Sequence, residues 1–193
     1  MQEESKQEIR QEHLRRRELL TTWQRKEKSD RIIAGLRQER CYQEADTILF
    51  YVSYKSEVDT HTLLQEELAL KNKSIFCPRV TGETMEFYEI TDYLQLEPGY
   101  QGIMEPAADS RRRFAFNIRQ ERKCLMLMPG AAFDKNRGRI GYGKGFYDKY
   151  LAWCPEIATA ALAYDCQITR RNIAAASHDI RPDMIFTEST IIM

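Results

Sequence analysis

The middle of the chain opens with a strand, a helix and a second strand. Residues 47–54 read TILFYVSY, an unbroken run of apolar, β-branched and aromatic residues that is typical of a strand buried on both faces. Leucines at helical spacing predict a helix over residues 60–72, and KSIFCP at 73–78 predicts a short strand. So compact a sequence of elements predicts a right-handed βαβ unit with parallel strands.

The rest of the chain continues the alternation of strands and helices. Further strands are predicted for TMEFYEI (84–90), CLMLMP (124–129), IATAALAY (157–164) and, as the last one, DMIFTE (183–188). A helix is predicted near Phe146–Trp153, whereas 91–120 has the prolines and glycines of a long loop. The pattern predicts an α/β fold, a three-layer α/β/α sandwich with a mostly parallel, Rossmann-like central sheet.

Residues 1–40 form a different, highly charged segment that predicts N-terminal helices. Ile9, Leu20 and Trp23 are compatible with one sparse apolar face, and Ser29 is a candidate cap for a second helix. We expect the basic run Arg15–Arg17 on a solvated face, with a nucleic-acid-binding arm as the alternative. These helices should pack on or extend from the α/β core, and we expect residues 1–193 to form a single domain.

Composition narrows the class of protein. The chain has 193 residues, 42% of them hydrophobic, with 29 basic and 29 acidic side chains, so its formal net charge is zero. This balance argues against a nucleic-acid binder. Five scattered cysteines without a C-x-x-C pair favour reduced thiols in a cytoplasmic protein. The N-terminus lacks the apolar core of a secretory signal, and no apolar run predicts a membrane span.

The strongest candidate for chemistry is GRIGYGKGFYD at 138–148. It resembles a phosphate-binding loop but fails the Walker template, because a glycine follows Lys144 where Ser or Thr should hold magnesium. Glycines at alternate positions still allow backbone N–H groups to approach an anion. Arg139 and Lys144 can bind phosphate, and Asp148 can bind magnesium. The pattern favours a polyphosphate site over a flexible surface turn.

The same residues carry a resemblance to a known family. MPGAAFDKNRGRIGYGKGFYDKYL (128–151) resembles the signature of the 5-formyltetrahydrofolate cyclo-ligases, P-G-x-x-F-D followed by R-[LIM]-G-x-G-x-G-[FY]-Y-D. Lys6 and Arg10 in KQEIR, then EVDT (57–60) and GIMEP (102–106), resemble other family motifs in the same order. The resemblance extends over nearly the whole chain.

The resemblance implies an ATP- and Mg²⁺-dependent ligase. Such an enzyme converts 5-formyltetrahydrofolate into 5,10-methenyltetrahydrofolate, ADP and phosphate, through phosphorylation of the formyl oxygen and ring closure by N10. A non-catalytic nucleotide- or folate-binding protein on the same fold is the alternative. The implied partners are ATP and the folate, without nucleic acid or membrane. We expect a monomer, with a dimer as the alternative.

Site residues carried over from the family fall into three groups. The residues expected to bind ATP are Lys6, Arg10, Arg139, Ile140, Gly141, Tyr142, Gly143, Lys144, Gly145, Phe146 and Tyr147, with Arg139 and Lys144 catalytic. Those expected to bind the folate are Val52, Glu57, Tyr142, Gly143, Lys144, Gly145 and Phe146. The expected metal ligands are Asp148 and Asp179, with Asp183 competing for the second position.

Several residues keep a second interpretation. Lys6 and Arg10 lie one helical turn apart and can face one anion, or they are solvated helix charges. Glu57 is a pterin acceptor, a charge at the entry of a helix or part of a surface loop, and Glu105 shapes the pocket or lies in a turn.

Other polar residues are expected outside the catalytic site. His61 and His178 have no sequence partner and are expected to be structural or on the surface. Asp134 is expected to be structural, either as the cap of a turn or as a support of the loop, and the Arg111–Arg113 run has no assigned role.

Overall fold

A computed structural model describes residues 5–115, 123–173, 176 and 179–193. The helices are α1 (Lys6–Glu18), α2 (Thr22–Gln38), α3 (Arg40–Gln43), α4 (His61–Leu70) and α5 (Phe146–Trp153). The strands are β1 (Thr47–Leu49), β2 (Ser74–Thr81), β3 (Thr84–Ile90), β4 (Leu96–Pro98), β5 (Met104–Pro106), β6 (Cys124–Met128), β7 (Ala132–Asp134), β8 (Arg139–Ile140), β9 (Ala158–Leu162), β10 (Ile168–Thr169), β11 (Met184–Phe186) and β12 (Ile191–Ile192). Short 3-10 turns lie at Tyr93–Gln95, Tyr100–Gly102, Ser110–Arg112 and Asp165–Gln167.

The central sheet confirms the predicted mostly parallel arrangement. Its order is β12-β11-β9-β6-β1-β2-β3. β1 pairs in parallel with β2 and β6, β9 with β6 and β11, while β3 and β12 are antiparallel at the two edges. β1, α4 and β2 form the predicted βαβ unit.

Both faces of this sheet are covered, which explains the unbroken apolar runs of its strands. Along β1, Ile48 packs with α2 and α4 through Ile32 and Leu64. Its neighbour Leu49 points the other way and belongs to the core that contains Leu151 of α5. Helices therefore lie on both sides of the sheet, and the three-layer α/β/α prediction is confirmed.

Two predicted strands differ from the structure. The strand predicted over 47–54 is too long, because β1 ends at Leu49. Beyond it, Tyr51 hydrogen bonds outside the sheet: its hydroxyl donates to Val58 O (2.9 Å), and its carbonyl accepts from Thr60 Oγ1 (2.8 Å). The chain stays buried through Val52 before it turns at Lys55, where φ is 55°. The 183–188 strand is not the last one, since β12 adds an antiparallel edge beyond it.

The N-terminal helices also depart from expectation. α2 begins at Thr22 because Thr21 and Gln24 form a capping box, so Ser29 is not a cap. Ser29 is instead buried in the middle of α2, where its Oγ lies 3.0 Å from the Tyr164 hydroxyl. The predicted apolar face fails as well: Ile9 is buried, but Trp23 is 72% exposed because the chain turns between α1 and α2.

The glycine-rich region, which is expected to be a loop, contains a second, small sheet. Its order is β10-β7-β8. Ile9 of α1 packs against this sheet through Ala132 and Ile140, so α1 is fixed beside the segment 129–145. The expected loop over 91–120 contains the β4–β5 hairpin, and its residues 116–120 lie outside the described part of the chain. Within the described residues, every helix is too short or too polar to cross a bilayer.

Candidate active site

The glycine-rich loop lies at the carboxyl edge of the parallel sheet, where open α/β sheets bind ligands. The chain leaves β6 at Met128, forms β7 and β8, and then runs through 141–145 into α5. Gly143 and Gly145 have φ values of 100° and 65°, in the left-handed region that glycine adopts without strain. Gly145 is also the N-cap of α5, so the partial positive charge of that helix end points at the loop.

Arg139 is a buried charged residue of this region. Its side chain is 4% exposed, and its Nη2 donates to Asp148 Oδ1 over 2.8 Å. The guanidinium also lies 5.7 Å from the centre of the Tyr147 ring, within the range of a cation–π contact. Its Nε is buried and has no hydrogen-bond partner among the described residues. A buried donor left without a partner is costly, so this atom indicates an anion as its natural partner.

Helix α1 brings Arg10 to the glycine loop and Lys6 to Asp179. Arg10 Nε donates to Gly141 O over 2.8 Å, and a Cβ placed on Gly143 would lie 3.7 Å from Arg10 Nη1. Lys6, one turn earlier, forms an ion pair with Asp179. Arg10 therefore faces the loop and Lys6 is held in an ion pair, so the two side chains are not merely solvated helix charges.

The two expected metal ligands lie on segments of the chain that contact each other. Asp148 Oδ1 accepts a hydrogen bond from the backbone N–H of Ile180 at 3.0 Å, which places Asp179 next to it. Asp179 Oδ2 accepts from Ala176 N at 2.7 Å and pairs with Lys6. Oδ2 of the competing candidate Asp183 accepts hydrogen bonds from the N–H and the Oγ1–H of Thr159, at 2.8 and 2.9 Å. These hydrogen bonds fix the start of β9. The segment that contacts Asp148 is thus the one that carries Asp179, whereas the carboxylate of Asp183 binds the start of β9.

The remaining residues of the motif differ in exposure. Lys144 is exposed in the loop, and Phe146 is half-buried with its ring edge-on to Tyr100 at 6.0 Å between centroids. Tyr147 lies beneath the loop, where burial raises the pKa of its hydroxyl. Ile140 is buried against α1, so its role in the structure is packing.

Glu57, which is expected to bind the folate, lies in the tight turn that follows the first strand. Its Oε2 accepts from Tyr54 N at 2.8 Å, and its Oε1 accepts the hydroxyl of Tyr142 from the glycine loop. Burial raises the pKa of Glu57, while the hydrogen bonds from Tyr142 and Tyr54 partly offset that effect. The structure thus joins Glu57 to the loop, although they are far apart in sequence. Val52, also expected here, is 3% exposed and packs in the main core.

Arg17 is the site residue that sequence reasoning missed. The run Arg15–Arg17 was expected on a solvated face, but only Arg15 and Arg16 are exposed, and Arg17 is 4% exposed. Its Nη1 donates to the Tyr142 hydroxyl at 2.8 Å. The signal was present in the four-residue spacing of Ile9, His13 and Arg17, which form the buried stripe of α1. This result also removes one basic residue from the proposed nucleic-acid-binding arm.

Several other polar residues have structural roles. His61 lies 2.7 Å from the Tyr93 hydroxyl and 2.9 Å from Ser53 O, as expected of a structural histidine, and His178 lies outside the described residues. Glu105 is 3% exposed and accepts from Val80 N at 3.2 Å, which links β5 to β2. Asp134 accepts three backbone N–H groups, as expected of a loop support.

The basic run near residue 111 and the cysteines offer no second reactive centre. Arg111 pairs with Asp109 at 3.0 Å, and Arg113 pairs with Glu86 at 2.9 Å.

All five cysteines are free, and burial raises the pKa of Cys166 to about 11 and that of Cys124 to about 12. Thiols with such pKa values are poor nucleophiles at neutral pH.

Together, the fold and the site define a three-layer α/β protein with a glycine-rich, cationic loop at the carboxyl edge of its parallel strands. The family model described as the 5-formyltetrahydrofolate cyclo-ligase family matches residues 2–188. The chain therefore belongs to the 5-formyltetrahydrofolate cyclo-ligase family, as its motifs indicated.

Individual relatives agree with this assignment. The 5-formyltetrahydrofolate cyclo-ligase of Haemophilus influenzae is 32% identical over 130 residues, which cover 65% of this chain and 67% of that protein. The probable 5-formyltetrahydrofolate cyclo-ligase of Schizosaccharomyces pombe is 36% identical over 102 residues. These residues cover 51% of this chain and 47% of that protein, so the match spans about half the length of the Schizosaccharomyces pombe protein. The NMR structure of Aquifex aeolicus 5,10-methenyltetrahydrofolate synthetase matches with a TM-score of 0.81 and 29% identity, covering 96% of this chain and 91% of that chain.

Proposed function

We propose that the protein converts 5-formyltetrahydrofolate into 5,10-methenyltetrahydrofolate, using ATP and Mg²⁺ and releasing ADP and phosphate. Family membership and the names of its relatives support the folate reaction. The observation that carries the ATP-dependent part is Arg139, whose buried Nε has no partner among the described residues and lies beside a loop suited to phosphate. Residues 1–193 would act as one catalytic unit, because α1 contributes to the same site as the loop.

The nucleotide would bind between α1 and the glycine loop. Arg139 offers a planar guanidinium that matches phosphate oxygens, and Lys144 offers a mobile point charge. Lys6 and Arg10 would contact the triphosphate from α1, since Arg10 already lies against Gly141 and Gly143. Backbone N–H groups of the loop would complete the anion site without a side chain in the way.

Asp148 and Asp179 fit the requirements of a magnesium site. Mg²⁺ prefers oxygen ligands and is commonly held by one or two carboxylates together with substrate phosphates. The described residues contain no cluster of three or more acidic, histidine or cysteine side chains that could hold a metal ion without substrate. Two neighbouring carboxylates beside a phosphate loop are therefore the appropriate set, and the ion would neutralise charge on the polyphosphate.

Glu57 would receive the pterin ring of the folate. A carboxylate can accept hydrogen bonds from two N–H groups of such a ring, and Glu57 is already fixed by Tyr54 N and the Tyr142 hydroxyl. The loop that would hold the triphosphate thus touches the residue that would hold the folate. This proximity supports a transfer of phosphate between the two substrates.

The chemistry requires no protein nucleophile. The formyl oxygen attacks the γ-phosphorus, the bond to the β-phosphate oxygen breaks, and ADP leaves. N10 of the folate then attacks the activated carbon and loses its proton, and the carbon–oxygen bond breaks to release phosphate. Arg139 and Lys144 would stabilise negative charge during transfer, and the site would align the two substrates.

The decisive experiment mixes purified protein with 5-formyltetrahydrofolate, Mg²⁺ and ATP and follows the absorbance of the methenyl product. A rise that requires ATP and is lost in Arg139→Ala would support the proposal. Folded protein that binds both ligands without any rise would instead identify a non-catalytic binding protein on the same fold. Circular dichroism of both proteins controls for folding.

A further inference from the structure

Arg17 connects the turn that carries Glu57, which the proposed function assigns to the folate, with the glycine loop, which it assigns to the nucleotide. Its Nε donates to Ser56 Oγ over 3.0 Å, next to Glu57, and its Nη1 donates to the Tyr142 hydroxyl over 2.8 Å. The guanidinium carbon lies 5.8 Å from the centre of the Tyr142 ring. One buried side chain on α1 therefore contacts both the turn after the first strand and the glycine loop.

The direction of hydrogen bonding in this chain of groups is fixed by chemistry. A guanidinium can only donate, so the oxygen of Tyr142 must accept from Arg17. The hydroxyl proton of Tyr142 is then directed to Glu57 Oε1, which accepts it as a carboxylate. Arg17 is thus the donor end of a chain that terminates on Glu57.

Charge explains why the three groups stabilise one another. Burial raises the pKa of Glu57, and the hydrogen bond from Tyr142 and the positive charge of Arg17 act in the opposite direction. Burial also disfavours the charge of Arg17, but Tyr142 and Glu57 outweigh this effect and its pKa is raised. Buried charges persist in proteins when they are paired and hydrogen bonded in this way.

The position of Arg17 on α1 adds a connection between the two substrates. Lys6 and Arg10 of the same helix face the glycine loop and Asp179, at the proposed nucleotide site. Arg17 follows Arg10 by seven residues, about 10 Å along a helix axis. α1 therefore carries the proposed ATP contacts near its start and the contact to the Tyr142–Glu57 pair near its end.

We propose that Arg17 is a positioning residue for the folate: it holds the Tyr142 hydroxyl against Glu57 and so orients the Glu57 carboxylate for the pterin ring. This inference rests on the proposed function, because it takes Glu57 as the folate acceptor. Arg17 acts through Tyr142 and Glu57 and does not itself touch the reacting atoms. Loss of Arg17 should therefore weaken folate binding while the nucleotide site remains intact.

The test compares Arg17→Gln and Arg17→Lys with Arg15→Gln, an exposed control of the same residue type on the same helix. We expect Arg17→Gln to raise the KM for 5-formyltetrahydrofolate and its dissociation constant measured without ATP by ~10- to 100-fold, the usual effect of losing a hydrogen bond to a charged group. The KM for ATP should change by less than about 3-fold. Arg17→Lys keeps the charge and should recover part of the loss, and Arg15→Gln should behave like the wild type.

A double-mutant cycle with Tyr142→Phe separates positioning from a general structural role. If Arg17 acts through the Tyr142 hydroxyl, adding Arg17→Gln to Tyr142→Phe should weaken folate binding much less than it does in the wild type. Additive effects, or equal increases in the KM for ATP and for folate, would overturn the inference. If Arg17→Gln does not fold, the same cycle is run with Arg17→Lys.

The proposed function and this inference can fail separately. Wild-type protein that shows no turnover overturns the proposed function, and the inference falls with it. Active wild-type protein whose folded Arg17 variants bind folate normally overturns the inference alone.

Discussion

Nη2 of Arg139 donates to Oδ1 of Asp148 across 2.8 Å, and the two side chains are 4% and 16% exposed. The residue proposed to bind the γ-phosphate therefore directly restrains one of the two proposed magnesium ligands. A change at either position alters both parts of the site. This coupling makes Arg139 the most informative single position for mutation.

Arg139→Ala should lower kcat/KM by about 100- to 1,000-fold, the usual loss when a donor to transition-state charge is removed. The same change leaves Asp148 without its cation in a largely buried place, so the melting temperature should also fall. Steady-state assays of methenyl formation and thermal melts measure the two effects. Lys135→Ala, an exposed lysine on the same segment, is the control. Near-normal activity of Arg139→Ala would contradict the assignment.

The glycine loop can be tested by a matched pair of substitutions. Gly145 and Gly82 have φ values of 65° and 60°, and a Cβ would meet no atom within 4 Å at either position. Gly145→Ala and Gly82→Ala should therefore destabilise the protein similarly, by about 1 kcal/mol. Only Gly145→Ala should raise the KM for ATP, because only Gly145 lies in the proposed phosphate loop. Equal kinetics of the two variants would argue against a phosphate site here.

Glu57 predicts a dependence of folate binding on pH. Burial raises the pKa of Glu57 above its ordinary 4.5, and the carboxylate form is the one that can accept pterin N–H groups. The KM for folate should therefore increase as pH falls, and this increase should begin at a higher pH than for an exposed glutamate. Glu57→Gln should weaken folate binding and remove this pH dependence. A variant that keeps the wild-type pH profile would show that another group titrates.

The stability of the protein should respond to Glu57 with the opposite sign. A raised pKa in the folded state means that folding favours the protonated form, so this contribution is complete below about pH 4.5 and is lost as pH rises through the folded pKa. The described ionisable side chains that shift the pKa of Glu57, or whose own pKa is shifted by the charge of Glu57, include Arg17, Tyr51, Tyr142 and Tyr147. Urea denaturation of the wild type and Glu57→Gln at several pH values measures this contribution.

Asp134 should be important for stability. It is 2% exposed, and its carboxylate accepts from the backbone N–H groups of Asn136 (2.8 Å), Gly138 (2.7 Å) and Ile173 (2.6 Å). Asp134→Ala leaves these donors without a partner and should reduce the free energy of unfolding by about 3–5 kcal/mol. Asp30→Ala removes only an exposed ion pair with Lys26 and should cost less than about 1 kcal/mol. Chemical denaturation of both variants measures the difference.

Much of the fold was predictable because its signals are local. The apolar runs of β6 and β9 predict strands from contiguous residues alone. The strand predicted for 47–54 is wrong only in its length, because Tyr51 hydrogen bonds to residues of the following turn. The short strands β7 and β8 escaped prediction, since two or three residues carry no periodicity and their pairing is decided by contacts with each other and with β10. Ser29 was misread because hydroxyl residues cap helices and also fill buried polar positions.

By itself, the sequence determined the parallel sheet, the βαβ unit and the position of the glycine-rich motif, because periodicity and turn chemistry belong to contiguous residues. The sequence places Arg17 at helical spacing from Ile9 and His13, but only the tertiary structure supplies the partners that keep Arg17 buried while Arg15 and Arg16 are exposed. Its partners Ser56 and Tyr142 lie 39 and 125 residues further along the chain. The environment of a charge depends on such distant partners, because only folding brings together the groups that can compensate its loss of water.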